Sequence, residues 1–311
     1  MEKRHDTYGE LTPEMFRVVG PRLAESDQMP KKTVSFWKEV WYRFRQNKLA
    51  VSGVFILAII ALLAIFVPEF SQYSYRDQLG VYNEAPSKEH WFGTDDLGRD
   101  VFVRVWYGAR ISLFIGITAA IIDLIIGVLW GSISGLFGGR VDDIMMRIVD
   151  ILSAIPYLLV VIILLVVMEQ GLLPMIIALS ITGWVNMARI VRGEVLSIKN
   201  REFVLAARTL GASNWHLIVR HIIPNALGAI LVTMTLTIPT AIFTEAFLSF
   251  LGLGVNQPIA SWGTMASEGM GGLRVAPWRL FFPAFFISLT IFAFNAVGDG
   301  LRDALDPKLR K

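Results

Sequence analysis

The sequence predicts an all-α integral membrane protein with about six transmembrane helices. Its 311 residues are 54% hydrophobic and only 18% charged, and the mean hydropathy is +0.54. Such a composition is far more apolar than that of soluble globular domains. The apolar residues also fall into runs long enough to cross a bilayer as helices. Lipid is therefore the expected surroundings of most of the chain.

The amino-terminal segment, residues 1–48, is predicted to be a cytoplasmic tail that ends in an interfacial helix. Residues 1–30 have no apolar core of seven or more residues, so we expect no cleavable signal and expect the first hydrophobic run to insert itself. Five side chains share one helical face: Phe36, Trp37, Val40, Trp41 and Phe44. This spacing indicates a helix at the membrane surface. An aromatic flank of the first span explains it equally well.

The first span is predicted at residues 49–67, with Pro68 as its stop. A polar loop at 68–111, expected on the extracellular or periplasmic side, separates it from the second span, which begins near residue 112. In that second span Gly127, Gly131 and Gly135 are four residues apart. A stripe without side chains lets another helix approach closely, so tight helix packing is predicted there.

Four further spans complete the predicted permease core, residues 112–301. They are expected at 149–168, 175–192, 222–253 and 281–301. The fifth apolar run is long enough to tilt or to be broken at Pro239. A cytoplasmic loop at 193–221 lies between the fourth and fifth spans.

Basic residues predict the orientation of these spans. If the amino terminus is inside, 22 of the 29 Lys and Arg residues lie on the cytoplasmic side and 7 lie outside. Because Lys and Arg are in excess on the cytoplasmic side of membrane proteins, both termini are predicted to be cytoplasmic, including a tail at 302–311.

The segment Asn200–Pro224, NREFVLAARTLGASNWHLIVRHIIP, carries the most information. Asn200 is expected to cap a helix over 201–210, which Gly211 ends in a left-handed conformation. Ser213 is expected to cap a second short helix. The first helix should place four side chains on one side: Phe203, Ala206, Ala207 and Leu210. The two alanines leave a shallow face to which another protein can dock.

This segment resembles the cytoplasmic signature of permease subunits of binding-protein-dependent ABC importers, which is Glu-Ala-Ala, three residues, Gly, nine residues and Ile-x-Leu-Pro. Four residues match it at the required spacing: Ala206, Ala207, Gly211 and Pro224. Leu205, His221 and Ile223 depart from it, and Glu202, one turn upstream, takes the place of the signature glutamate. The dipeptide and oligopeptide branch of these permeases has this form of the signature in the same loop.

The resemblance extends over nearly the whole chain after residue 35. It includes HWFGTDDLGRDVFVRVWYGARISL (His90–Leu113), TEAFLSFLGLG (Thr244–Gly254), SWG (Ser261–Gly263) and GDGLRDALDPKLR (Gly298–Arg310). Several motifs in the right order are more specific than one loop, and the sequence is most similar to C-type permease subunits of oligopeptide importers.

The resemblance implies a type I ABC importer permease fold in the bacterial cytoplasmic membrane. It further implies a second, homologous permease subunit, an extracellular substrate-binding protein and two cytoplasmic ATPases that dock on the 200–224 loop. ATP and Mg²⁺ are expected on those ATPases, with no cofactor in this chain. Oligopeptides or dipeptides are the implied substrates, although nickel and other small solutes use the same permease pattern.

In the first outer loop, Asp95, Asp96 and Gly98 predict a turn, and the residues after Arg99 predict an amphipathic helix that leads into the membrane. Two interpretations remain open for Asp95, Asp96, Arg99 and Asp100. They form either a folded cap of the loop or a contact with the binding protein.

Asp123 and Glu245 lie within apolar runs, where an acidic side chain costs about 2.5–3.5 kcal/mol at mid-span. Each is therefore expected to face protein or water. A translocation-path role, a packed hydrogen bond and a protonated side chain all fit. In an ATP-independent secondary transporter or channel, which is the alternative function, the same two residues would couple ion movement.

Other chemistries are not expected. The sequence has no G-x-x-x-x-G-K-[ST] phosphate loop, no G-x-S-x-G nucleophile turn and no cysteine. Its four histidines lack the spacing of metal ligands. The basic carboxyl terminus fits an anionic lipid surface, so no nucleic-acid partner is expected. The chain is therefore predicted not to be an enzyme.

Overall fold

The computed structural model describes residues 36–305, and the predicted tails at 1–35 and 306–311 lie outside the described residues. The described part contains eleven α-helices and no β-strand. From Val40 onward it belongs to one compact unit. The helices are α1 (Phe36–Gln46), α2 (Lys48–Phe70), α3 (Val101–Phe137), α4 (Gly139–Ala154), α5 (Tyr157–Met168), α6 (Leu172–Ile198), α7 (Glu202–Thr209), α8 (Asn214–Leu217), α9 (Ile223–Leu248), α10 (Trp262–Gly271) and α11 (Trp278–Leu305).

The number of membrane-crossing helices agrees with the sequence. Within the described residues, five stretches are long and apolar enough to cross a bilayer, and they contain α2, α3, α6, α9 and α11. A sixth is obtained if the bent pair α4 and α5 counts as one span. The prediction of an all-α membrane protein with about six spans is confirmed.

The first outer loop is shorter than predicted because helices enter it from both sides. α2 continues through Pro68 to Phe70. Pro68 has no amide hydrogen to donate to the Ala64 carbonyl, and Arg110 Nε donates to that carbonyl instead, at 3.2 Å. α3 begins at Val101, well before the predicted residue 112, and its 37 residues extend about 55 Å. The segment between the two helices is therefore 71–100.

The predicted third span, 149–168, is not one straight helix. α4 and α5 meet at an angle of 80°. Ile155 between them is extended (φ −89°, ψ 130°), as expected for a residue that precedes a proline, and Pro156 follows. The bend is thus a consequence of Pro156.

The proline of the fifth span has no such effect. α9 continues through Pro239 from Ile223 to Leu248, so the alternative of a break at Pro239 is wrong. Turns of π-helix lie at its two ends instead, at Ile218–Ile222 and Ser249–Leu253. α6 is also longer than the predicted 175–192 at both ends.

α1 is separate from the first span. Asn47 ends it and caps α2, because Asn47 Oδ1 accepts hydrogen bonds from the backbone N–H groups of Leu49 and Ala50, both at 3.1 Å. Val40 and Phe44 are buried, whereas Trp41 is exposed. The helix therefore has one packed and one open side.

The glycine stripe on α3 packs against α6. A Cβ atom added at Gly127 would lie 2.6 Å from Met187 Cβ, and one added at Gly135 would lie 2.8 Å from Val195 Cβ. At Gly131 the added atom would collide with the backbone of α6 at Ala188. Because α3 has no side chains on this stripe, the two helices touch almost backbone to backbone.

Gly131→Leu is expected to destabilise the protein by at least 1–3 kcal/mol, roughly the cost of overpacking a close contact. Gly193→Leu is the matched control, because Gly193 on α6 is exposed and an added Cβ would have no neighbour within 4 Å. Thermal unfolding of both purified variants in detergent measures the difference. Equal melting temperatures for the two variants would show that this contact does not hold α3 and α6 together.

Candidate functional site

The loop between α6 and α9 folds as a compact helix pair. α7 ends before Gly211, whose φ of +87° is the predicted left-handed conformation. Ser213 Oγ accepts a hydrogen bond from the backbone N–H of His216 at 3.2 Å, so Ser213 caps α8 as predicted. The predicted cap at Asn200 is wrong, because α7 begins at Glu202 and the preceding Arg201 makes no side-chain cap.

One side of α7 anchors the loop to the rest of the protein. Val204 is fully buried, and it belongs to a cluster with residues of α6, α8 and the π-turn before α9. Ala207 is half-buried against the same cluster. The sequence predicts that Ala207 shares the open face with Phe203, Ala206 and Leu210. In the structure Ala207 packs toward the core instead.

The opposite side of α7 is apolar and open. Phe203 and Ala206 are exposed, and Leu210 is 88% exposed. Trp215 on α8 is 60% exposed. We call these four residues the apolar patch. Large apolar side chains that are clustered and exposed on a polar loop are typical of surfaces that bind another protein. Glu202 lies exposed at the start of the same helix, and Pro224 lies in the first turn of α9.

An ion pair fixes the end of α6 that leads into this loop. The guanidinium of Arg192 donates two hydrogen bonds of 2.6 Å to the carboxylate of Asp142 on α4. Ser134 of α3 also donates to Asp142, and Lys199 Nζ donates to the Gly135 carbonyl at 2.9 Å. Bidentate pairs of this kind hold their partners in a defined orientation. α6, α3 and α4 are thereby joined at the base of the loop.

Asp123 lies on α3 and lines a cavity of about 490 Å³. Residues of α5, α6 and α9 form the other walls. The side chain is nearly buried, and its Oδ1 atom has no hydrogen-bond partner. Of the two intramembrane carboxylates predicted from the sequence, Asp123 is the one that faces this cavity.

Glu245 has different surroundings. It is fully buried in α9, and it accepts hydrogen bonds from Ser112 at 3.0 Å, Ser249 at 2.8 Å and Ser261 at 2.6 Å. These serines come from α3, from the π-turn after α9 and from the residue that caps α10. Glu245 therefore joins three elements, which fits the packed hydrogen bond among the interpretations that the sequence left open.

The acidic turn at residues 95–100 is largely buried. Asp95 accepts a 2.6 Å hydrogen bond from Arg99 Nε, and Asp100 caps α3 through a 2.9 Å bond from the Val103 amide. Asp95, Arg99 and Asp100 are buried, so they form a folded cap in this structure. Asp96 is about half exposed and pairs with Arg279 at 2.9 Å.

Sequence reasoning missed the residues that pair with this turn. Arg99 and Arg104 both contact Glu268 of α10, at 3.2 and 2.8 Å. Arg279 of α11 donates to Asn83 at 3.0 Å. The only sequence signal for these residues was their charge near the ends of apolar runs. Their partners could not be predicted, because each partner lies more than 150 residues away in the sequence. No group of three or more metal-ligating side chains occurs among residues 36–305.

Two family models match the chain. Residues 127–311 match the model described as "Binding-protein-dependent transport system inner membrane component". Residues 35–86 match the model of the N-terminal transmembrane domain of oligopeptide transport permease C. The first match includes the 200–224 loop, and residues 87–126 lie between the two matches.

Curated relatives are similar over almost the whole length. The oligopeptide transport system permease protein OppC of Bacillus subtilis is 63% identical over 96% of this chain and 98% of its own. The dipeptide transport system permease protein DppC of the same organism is 53% identical over 100% of this chain and 98% of its own. OppC of Escherichia coli is 45% identical over 92% of this chain and 95% of its own.

A solved structure shows the same fold. A chain of the MetNI methionine ABC transporter, described in inward-facing conformations, matches with a TM-score of 0.55 and 17% identity. The match covers 65% of this chain and 96% of that chain. At this identity the likeness concerns the fold, and it confirms that the helices are arranged as in a type I importer permease.

Replacement of Glu245 distinguishes a role in helix packing from a role in the translocation path. Glu245→Ala leaves three buried serine hydroxyls without their acceptor, so a loss of about 2 kcal/mol or more is expected. Glu245→Gln keeps one oxygen acceptor, and a smaller loss is expected. Melting temperatures of the purified variants measure both. If Glu245→Ala were as stable as the wild type but defective in transport, the packing role would be contradicted.

Proposed function

The chain belongs to the family of binding-protein-dependent transport system inner membrane components, and on this premise we propose that it is the permease subunit of an ATP-driven importer of oligopeptides or dipeptides. The family is a transporter component of the bacterial inner membrane rather than an enzyme. The two relatives from Bacillus subtilis carry oligopeptide and dipeptide transport in their names, and this supports peptides as substrates. Family membership favours this function over an ATP-independent transporter.

The observation that carries the proposal is the anchored helix pair α7–α8 with its exposed apolar patch. Phe203, Ala206, Leu210 and Trp215 present apolar surface outward, while Val204 is fixed in the core behind them. We infer that an ATPase subunit covers the patch. ATP and Mg²⁺ belong to that subunit in our scheme, and two ATPases serve this chain and a second, homologous permease.

The packing behind α7 supports transmission of a displacement of α7 to the neighbouring helices. Val204 shares one cluster with Val195 and Ile198 at the end of α6 and with Ile222 before α9. A push on α7 therefore acts on both helices, because packed side chains transmit displacement where a loose loop would not. The Asp142–Arg192 pair extends the contact to α4.

Helices α6 and α9 also line the proposed path. The cavity at Asp123 shares Ile190, Thr233 and Leu236 with a second cavity of about 560 Å³, which reaches Asn225 and Arg302. Together the two cavities form a groove along α6 and α9. In our scheme the second permease covers this groove, and movement of α6 and α9 opens it alternately to the two sides of the membrane.

The orientation in this scheme follows the basic residues, with α7 and α8 in the cytoplasm and the Asp95–Asp100 cluster outside. An extracellular substrate-binding protein would then meet the outer surface. Asp96 is the exposed member of that cluster, whereas Asp95, Arg99 and Asp100 hold the loop in shape.

Leu210→Asp tests the docking of an ATPase. Leu210 is the most exposed member of the patch, so aspartate there should not disturb the fold, but it should place a charge in an apolar interface. Two quantities are expected to fall at least tenfold. They are the amount of ATPase recovered with the tagged chain from detergent-solubilised membranes and the rate of peptide uptake. Val275→Asp is the control, since Val275 is 73% exposed in the turn between α10 and α11. Normal recovery of ATPases with Leu210→Asp would contradict docking on this patch.

Gly211→Val tests whether the connection between α7 and α8 must keep its shape. A side chain at Gly211 has open space around it, but a β-branched residue disfavours a φ of +87°. We expect normal amounts in the membrane with peptide uptake reduced several-fold, measured beside Gly193→Val as a control on α6. Unchanged uptake by Gly211→Val would argue against transmission through this turn.

A further inference from the structure

The cavity at Asp123 has polar walls, and its α9 side presents hydrogen-bond acceptors. Five of its lining residues are threonine or asparagine: Thr182, Asn186, Thr233, Thr237 and Thr240. The hydroxyl of Thr233 donates to the Ala229 carbonyl at 2.8 Å, that of Thr237 to the Thr233 carbonyl at 2.9 Å and that of Thr240 to the Leu236 carbonyl at 3.1 Å. Their hydrogens are thus committed to the backbone of α9. What these hydroxyls still offer is oxygen lone pairs.

Asp123 adds a carboxyl group to the same cavity. It is 4% exposed, and its Oδ1 atom is buried without a hydrogen-bond partner. The nearby hydroxyl of Tyr157 donates to the Leu179 carbonyl at 3.2 Å and is committed elsewhere. No lysine or arginine is among the residues that line this cavity in the described part of the chain. Thr182 and Asn186 in the same walls could donate, but neither is hydrogen-bonded to Asp123 Oδ1. A buried carboxyl oxygen without a donor is costly, so a hydrogen-bond donor on a bound solute would stabilise this site.

The space for the carboxylate is provided by a glycine on the facing helix. A Cβ atom added at Gly183 of α6 would collide with the Asp123 carboxylate. Any other residue at position 183 would force Asp123 to move. The close approach of α3 and α6 therefore leaves room for the carboxylate at the wall of the cavity.

We propose that Asp123 and the acceptor-lined walls of this cavity bind a primary ammonium group of the transported solute. An ammonium carries three donors and a positive charge, which matches one carboxylate among neutral oxygen acceptors. A divalent metal ion fits less well, because one carboxylate with hydroxyl groups supplies too few strong oxygen ligands. The identification of the solute as a peptide rests on the proposed function, and the cationic preference of the cavity does not.

The charge preference can be measured without knowing the solute, because the chain has no native cysteine. Asn186→Cys places a thiol on an exposed position that lines the cavity, one turn from Gly183. The full transporter in membrane vesicles is treated with a cationic methanethiosulfonate (ethyltrimethylammonium) or an anionic one (ethylsulfonate). Modification of the tagged chain is followed by its mass. The ratio of the cationic to the anionic rate is the readout.

We expect this ratio to be at least about fivefold higher with Asp123 than in Asp123→Asn, because one charge is removed near the thiol. Asp123→Glu should keep the high ratio, and it controls for a folding defect of the neutral variant. Asp143→Asn, which removes an exposed carboxylate that does not line the cavity, should leave the ratio unchanged. An equal ratio for Asp123 and Asp123→Asn overturns the proposal. So does a thiol that neither reagent reaches, because the ammonium group must enter the cavity.

Protection of the same thiol identifies the source of the ammonium. We expect trialanine to slow modification at least fivefold and N-acetyl-trialanine not to do so if the peptide amino terminus binds. Protection by N-acetylated Ala-Ala-Lys would assign a lysine side chain instead. If peptides are taken up but none protects, the assignment to ammonium is wrong. If the charge preference is present but no peptide is taken up, the cationic site stands and the proposed peptide function fails.

Discussion

The contact between α3 and α6 is the constraint on which the rest of the structure depends. Gly127, Gly131 and Gly135 remove the side chains that would otherwise separate the two helices. In lipid the hydrophobic effect does not drive helices together, so close packing of this kind supplies much of the attraction. The same approach brings Gly183 against Asp123. Beside it, Arg192 of α6 pairs with Asp142 of α4, to which Ser134 of α3 also donates. The contact between α3 and α6 therefore determines the positions of the cavity wall and of the base of the 200–224 loop.

This arrangement connects two distant parts of the chain through α6. One end of α6 leads into α7, whose Val204 packs against the ends of α6 and α9. The middle of α6 carries the cavity residues Gly183 and Asn186. A rigid displacement of the loop is therefore expected to reach the cavity without any further device. Glu245 and the ion-pair cluster around Arg104 stabilise the opposite end of the bundle, where hydrogen bonds and ion pairs join α3, α9 and α10.

The sequence predicted the fold class, the glycine stripe and most of the 200–224 loop, because each depends on local pattern. It could not predict which prolines bend a helix. Pro156 lies between α4 and α5 at an 80° bend, whereas Pro68 and Pro239 lie within continuous helices, and Arg110 satisfies the carbonyl that Pro68 leaves free. The sequence also provided no means to distinguish the surroundings of Asp123 from those of Glu245. Their difference arises from three serines that donate to Glu245, of which Ser112 lies 133 residues away in the sequence.

The central claim is that the 200–224 loop moves α6 relative to α9 and so reshapes the cavity. The most direct test is a distance measurement between spin labels at Asn186 of α6 and Thr240 of α9, both exposed in the cavity wall, in a chain without other cysteines. The assembled transporter is measured with and without a non-hydrolysable ATP analogue. The account predicts that nucleotide shifts the distance distribution by several ångströms and that Leu210→Asp abolishes the shift. An unchanged distance in a transporter that imports peptides would contradict it.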